Sequence, residues 1–305
     1  MSIKIDDISV LVTCYCEGDL LLRAIESLKN QTIQGFEVVI VNDCSKDELT
    51  NKICNDFRIE EKYRVIFRTE NGGLSAARNT AFENMNGVFA IPLDADDTLP
   101  EDCVENVLNI LNNNSNIDMI FGDYSIINEK SECDVVDCSV LANSVGKLDI
   151  YKLANNWILL GTSPCSKNIW HKINGYNLKF SNTNQDVDFW RRAFLSNCVG
   201  FYLKKCIYNW YKLDTGMNSN VNEENYLELR IDSLQFYDQY NFEYGLKMRD
   251  YIYRYYSSRL MYEELKDFVN RNSLYFNFIH KIKVSLMKYK SIYKIIRKTK
   301  NIFKK

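Results

Sequence analysis

Gly87-Val88-Phe89-Ala90-Ile91-Pro92-Leu93-Asp94-Ala95-Asp96-Asp97 is the stretch on which the fold turns. Val88 to Leu93 is a short, mostly apolar run, the pattern of a strand buried on both faces of a parallel sheet. Three carboxylates crowd together where it ends, and open α/β sheets hold their ligands outside the carboxyl ends of their strands. Asp94 and Asp96, two apart, can both be aimed at one hard cation that also takes substrate phosphates. The plainer alternative is a solvated acidic turn, with Asp97-Thr98 capping a helix that Pro100 opens. Taken alone, the turn is the simpler reading.

Working outward, residues 9–125 alternate between strand and helix. Strands are expected at Ser9–Thr13, Glu37–Val41, Tyr63–Phe67 and Ile117–Phe121, and helices at Leu20–Asn30, Glu48–Phe57, Ser75–Met85 and Pro100–Asn112. Such alternation with short loops predicts a mostly parallel sheet with helices on both faces. No G-x-G-x-x-G and no G-x-x-x-x-G-K-[ST] occurs, which disfavours dinucleotide and P-loop sites. Beyond residue 125, Glu129–Asp137 reads as a polar loop or hairpin arm and Asp149–Leu160 as a helix.

Four further motifs precede the acidic turn in order: Ser9-Val10-Leu11-Val12-Thr13-Cys14-Tyr15, Gln31-Thr32, Val39 to Asp47, and Asn71-Gly72-Gly73-Leu74-Ser75-Ala76-Ala77-Arg78-Asn79. The series resembles the nucleotide-sugar-binding half of inverting glycosyltransferase family 2, with its GT-A fold, closely over roughly residues 8–125 and more loosely over 160–220. The resemblance implies a metal-dependent inverting transferase. It would move a sugar from a nucleotide diphosphate sugar, UDP-linked by preference, to a hydroxyl of a glycan or lipid-linked saccharide. By the same resemblance Thr13 and Tyr15 lie against the base and Asp43 accepts the uracil N3–H. Arg78 reaches the diphosphate or braces the acidic turn, Asp94 meets the ribose or a metal-bound water, and Asp96 ligates Mg²⁺ or Mn²⁺. Asp43 could equally form an Asx-turn before Ser45.

In Asn184-Gln185-Asp186-Val187-Asp188-Phe189-Trp190-Arg191-Arg192, Asp186 takes the position of the family's general base. The alternative is a helix N-terminus whose free N–H groups Asn184 and Asp186 satisfy. Departures are several: Thr13 replaces a proline, Cys16 an asparagine, Asn42 an aspartate and Gln185 a glutamate. Lys212 and Asp214 replace an Arg-x-His, so by the resemblance Lys212 faces phosphate and Asp214 is a third candidate metal ligand, with a solvated strand end as the equal alternative. Trp210 reads as core packing. Two rivals remain, a sugar nucleotidyltransferase and a non-catalytic nucleotide- or glycan-binding module.

The chain divides into a GT-A domain, 1–222, with a donor half about 8–125 and an acceptor half about 126–222, and a helical region, 223–305, with a basic tail 273–305. Ten cysteines include no C-x-x-C and only two histidines accompany them, so zinc spacing is absent and a reduced, cytoplasmic setting is expected. No Asp or Glu follows Asp267, whereas eleven Lys or Arg do; residues 1–267 hold 27 of the 38 basic side chains and all 40 acidic ones, a balance of −13. In the tail Tyr275, Ile279, Ile282, Leu286, Tyr289, Tyr293 and Ile296 form a helical stripe among lysines. That combination predicts docking on an anionic membrane surface at the inner face of the cytoplasmic membrane. Packing on the body or in a homo-oligomeric seam is the alternative. A nucleic-acid partner is not expected, since the apolar stripe does not suit one.

Overall fold

The computed structural model describes residues 2–181, 184–213 and 223–287. It has two compact units, Met1–Asn225 and Tyr226–Lys305. The first is built on strands β1 (Ile8–Cys14), β2 (Glu37–Asn42), β3 (Tyr63–Phe67), β4 (Phe89–Asp94), β5 (Met119–Asn128), β6 (Cys133–Val136), β7 (Cys165–Ser166) and β8 (Gly200–Lys212). They join one sheet in the order β3-β2-β1-β4-β7-β5-β6, with β8 also on β5. β1 to β4 are mutually parallel, and β8 is parallel to β5; β6 and β7 pair antiparallel. The sheet is thus parallel in its first half and mixed in its second.

Every residue of β1 is buried, as are Val38 to Asn42 of β2, so the apolar runs of the sequence become the sheet's centre. The intervening helices are α1 (Asp19–Lys29), α2 (Glu48–Arg58), α3 (Gly73–Asn84) and α4 (Cys103–Asn113). α1 buries Leu21, Ala24, Ile25 and Leu28 on one stripe, and each large aliphatic side chain so buried contributes about 1.5–3 kcal/mol. Asp47 caps α2 by accepting from Thr50 N at 2.7 Å. Along α3 the buried residues include Ser75, Ala76, Ala77 and Ala81, small enough to bring this helix close to β1 and β2. The chain winds outward through β1, β2 and β3, then returns for β4 to the other side of β1. The switch point falls between β1 and β4, where Thr13 and Asp94 are register partners, and this is where an open α/β sheet receives its ligand.

The second half departs from the expected elements in detail. The predicted helix over Asp149–Leu160 shortens to α5 (Ile150–Asn155), after which 156–164 run irregularly. Next come α6 (Lys167–Lys172) and α7 (Gln185–Leu195). The helix predicted to open at Pro100 starts only at Cys103.

The second unit holds most of α8 (Glu223–Asp232), with α9 (Leu234–Tyr240), α10 (Phe242–Ser258), α11 (Tyr262–Arg271) and α12 (Phe278–Met287), where the sequence indicated a helical region with a basic tail. Asn241 divides α9 from α10 by capping the latter, accepting from Tyr244 N at 3.1 Å. Near the tail, Phe276, Val284 and Met287 are buried while Ile282 is 42% exposed. Of the stripe read in the sequence, Ile282 thus faces outward, while the side chains of Ile279 and Leu286 and the whole of Tyr289, Tyr293 and Ile296 lie outside the described residues. No helix among the described residues is long and apolar enough to cross a membrane.

Candidate active site

A cleft of about 1240 Å³ opens outside the carboxyl ends of β1, β2 and β4. Thr13, Tyr15, Asp43, Arg78, Asp94, Asp96 and Asp186 all line it, although they come from five separate places in the chain. Asp214, also singled out, lies outside the described residues.

On the β2 side, Asp43 accepts from the backbone N–H of Gly72 at 3.1 Å and of Gly73 at 2.8 Å, and its Oδ1 pairs with Arg68 Nε at 2.6 Å. It thereby ties β2 to the glycine turn. Gly72 has no room for a side chain, because an added Cβ would sit 2.6 Å from that of Ala76, and Gly73 has φ +76°. The Asx-turn considered for Asp43 does not form: the N–H of Ser45 is taken instead by Asn42 Oδ1, three residues before it, at 2.8 Å. Thr13 is buried, and its Oγ1 has no hydrogen-bond partner among the described residues.

At the β4 tip, Arg78 is almost wholly buried and donates through Nη2 to both oxygens of Asp94, at 2.8 and 3.0 Å. Of the two roles expected for Arg78, bracing the acidic turn is the one seen. Burial works against its charge, but Asp94 outweighs that and holds the guanidinium above its ordinary range. Its Nε and Nη1 remain unpartnered among the described residues, so two donors are left over for another acceptor. No side chain donates to the carboxylate of Asp96 among the described residues. Burial, then repulsion from Asp94, pushes Asp96 up to about 6.

Asp97 is not the helix cap the plainer reading made of it. It is buried, accepting from Tyr208 OH at 2.9 Å and from Tyr211 N at 2.7 Å. Burial, with Asp96 and Asp94 close by, raises its carboxyl to about 8. The Tyr208 oxygen also accepts from Asp94 N at 3.1 Å, so one phenol from β8 holds two members of the acidic turn. Glu17 adds a further carboxylate to the cleft; it accepts from Tyr15 N at 2.5 Å and is raised mainly by burial. Trp210, read as core, is half-buried in the cleft wall. No sequence signal marked Tyr208 or Glu17, whose partners are remote or backbone.

On the far wall, Asp186 opens α7. Burial raises its carboxyl, and the Arg78 cation opposes that rise. Asn184, just before the helix, has φ 57° and makes no side-chain cap, but the Asp186 carboxylate takes backbone N–H groups of Asp186 and Val187, so that half of the helix-terminus alternative holds. Gly161 lies against this carboxylate: an added Cβ would fall 2.8 Å from Asp186 Cβ and 2.9 Å from its Cγ. Trp190, one turn further along α7, fixes the same glycine by donating from Nε1 to its carbonyl at 3.1 Å. Asp188 is occupied by Arg192, Nη2 to Oδ2 at 2.7 Å.

The donor set fits a hard divalent cation. Asp94 and Asp96 offer oxygens only, and magnesium-type sites need one or two carboxylates completed by substrate phosphates. Among the described residues no group of three His, Cys, Asp or Glu could hold a metal by itself.

Residues 9–134 match the model of the family described as Glycosyl transferase family 2. Over that stretch the chain matches the family, and its fold is of the GT-A type. It is 40% identical over 101 residues to the glycosyltransferase GlyA of Streptococcus pneumoniae serotype 4, covering 33% of this chain and 14% of that one. It is 29% identical over 223 residues to an uncharacterized glycosyltransferase of Rickettsia felis, 71% of this chain and 36% of that one. Similarity also extends to the minor teichoic acid biosynthesis protein GgaB of Bacillus subtilis, 33% over 146 residues, 43% of this chain and 16% of that one. The chain thus spans well under half the length of these relatives. Among solved structures, S. aureus TarS 1–349 in complex with UDP-GlcNAc superposes with a TM-score of 0.67 at 18% identity, covering 96% of this chain and 91% of that one.

Proposed function

We propose that the chain is an inverting, cation-dependent glycosyltransferase that takes its sugar from a UDP-sugar and delivers it to a hydroxyl of a surface glycan or lipid-linked saccharide. The observation that carries this reading is that Asp96 at the β4 tip and Asp186 at the head of α7 line one cleft, with Arg78 acting on both walls. A solved neighbour bound to UDP-GlcNAc and a relative named for teichoic acid biosynthesis support the donor and acceptor classes.

In this reading Asp96 holds Mg²⁺ or Mn²⁺, and Asp94, oriented by Arg78, completes the cradle with donor phosphates. When bound, the cation offsets negative charge growing on the leaving diphosphate. Arg78, with two unpaired donors, steadies the same region. Asp186 faces the acceptor hydroxyl and takes its proton as the anomeric C1–O bond to the diphosphate breaks. Attack from the opposite side inverts the anomeric carbon. Its raised carboxyl is a stronger base than an exposed aspartate.

Screening nucleotide sugars for release of nucleoside diphosphate, with and without Mn²⁺, tests the reading. Cation-dependent UDP release stimulated by a glycan acceptor is expected; pyrophosphate release, or none with any donor, overturns it. The basic C-terminal segment supports docking on an anionic bilayer, each basic residue adding about 1 kcal/mol at low salt. A chain ending at Met287, which keeps the buried face of α12, should stay folded yet no longer co-sediment with anionic vesicles.

A further inference from the structure

Two more side chains meet at the acidic turn. Arg23, half-buried on α1, lays its guanidinium over the Tyr211 ring, 3.7 Å from the centroid. Its Nη2 donates to the backbone carbonyl of Asp96. Tyr211 is gripped in turn by Asp97, which accepts its N–H. The next residue, Thr98, exchanges backbone hydrogen bonds with Asn209, 3.2 Å in one direction and 2.9 Å in the other.

A turn that crowds three carboxyl groups into four residues, with Asp94 and Asp96 repelling each other when charged, holds its shape only if its backbone is tied down. Asp94 is tied through its N–H to Tyr208, Asp97 through both oxygens to β8, and Thr98 through its main chain. Asp96, whose carboxylate takes no side-chain donor among the described residues, is tied there through its carbonyl, and Arg23 supplies the tie. A guanidinium suits this place better than an ammonium, because its plane stacks on the ring while its edge donates to the carbonyl.

We infer that Arg23 and Tyr211 are positioning residues for the cation-holding turn, Arg23 fixing the peptide that follows Asp96 and Tyr211 fixing the plane of Arg23. The inference rests on the proposed cation role of Asp96. Neither residue needs to touch donor or cation; they set where the Asp96 carboxylate stands. Outer partners of this kind change metal affinity by about 10- to 100-fold when removed.

The test is calorimetric titration of the full chain with UDP, with and without Mn²⁺, alongside thermal melts. Arg23→Met keeps the apolar stem but loses plane and donor; Tyr211→Leu loses the ring but keeps the N–H to Asp97. Both should weaken Mn²⁺-dependent UDP binding by about 10-fold and leave cation-free binding within about twofold. Tyr211→Phe, with ring and N–H intact, should restore the affinity, whereas Arg23→Lys should not. Should Tyr211→Leu fail to fold, Arg23→Met decides alone. Binding within twofold of wild type in Arg23→Met, or an equal loss without Mn²⁺, overturns the inference and leaves the proposed function standing. Absence of Mn²⁺-dependent UDP binding in the wild type overturns both.

Discussion

The two walls of the cleft are made in different ways. On the donor side Thr13 lies near the end of β1, Asp43 just after β2 and Asp94 at the end of β4, so ladder hydrogen bonds fix their spacing. On the acceptor side Gly161 and Asp186 come from irregular chain and a helix start, and they are registered by side chains: Trp190 on the Gly161 carbonyl, and Asp186 packed against its Cα. A ladder tolerates loss of any one side chain. A wall assembled from single contacts does not. Substitutions on the acceptor wall should therefore reach catalysis through geometry, whereas those on the donor wall should act mainly through the group removed.

The sharpest way to break this contrast is Asp186→Asn. It should lower kcat by about 10²–10⁴ with donor affinity nearly unchanged; loss of UDP-sugar binding with kcat retained would move Asp186 to the donor wall. Asp96→Ala should abolish the Mn²⁺-dependent part of UDP binding, a loss of about 100-fold, while cation-free binding persists. Equal affinity with Mn²⁺ in calorimetry would remove Asp96 from the cation site. Gly161→Ala tests the single-contact wall, since one methyl must displace the Asp186 carboxylate. A fall in kcat of about 10- to 100-fold is expected, with unchanged donor KM; wild-type turnover would mean the wall yields freely.

The smallest effect concerns Asp97. Its carboxyl stands at about 8 in the fold against an ordinary value of 3.8. Between these values the native state holds a proton that the unfolded chain has released, so this group makes stability fall as pH rises from about 4 to 8. Asp97→Asn cannot titrate and should flatten that decline. Thermal melts of the two proteins between pH 5 and pH 8 check this, and parallel declines would show that Asp97 does not hold the proton.

Legibility in the sequence followed the same division. The positions of β1 to β4 and α1 to α3 came within a few residues, because buried parallel strands are continuous apolar runs and the helices between them carry one apolar stripe. Thr13, Tyr15, Asp43, Asp94 and Asp96 converge on the cleft for the same reason, since strand ends are conspicuous, whereas Arg78 and Asp186 reach it from helices. What stayed hidden depends on partners far apart in the chain. Asp97 looked like a cap until Tyr208 and Tyr211 reached it from β8. Asp43 leaves the N–H of Ser45 to Asn42 because the glycine turn supplies N–H donors that no local pattern announces. Trp210 looked like core because an aromatic on a strand gives no sign of which face is open. In the second unit a helical period drew the tail stripe through Ile282, which faces outward, while Phe276, Val284 and Met287 are buried.

β7 is only two residues long and reaches β4 no further than Phe89 and Ala90. From Ile91 to Asp94, then, β4 has a ladder neighbour only on its β1 side. Its tip is an edge strand inside the molecule, and the Tyr208 phenol occupies the place a missing strand would take. The substrate cleft begins where the sheet leaves off. Lengthening β7 by two residues would extend the ladder along β4 towards its tip and narrow the opening of the cleft.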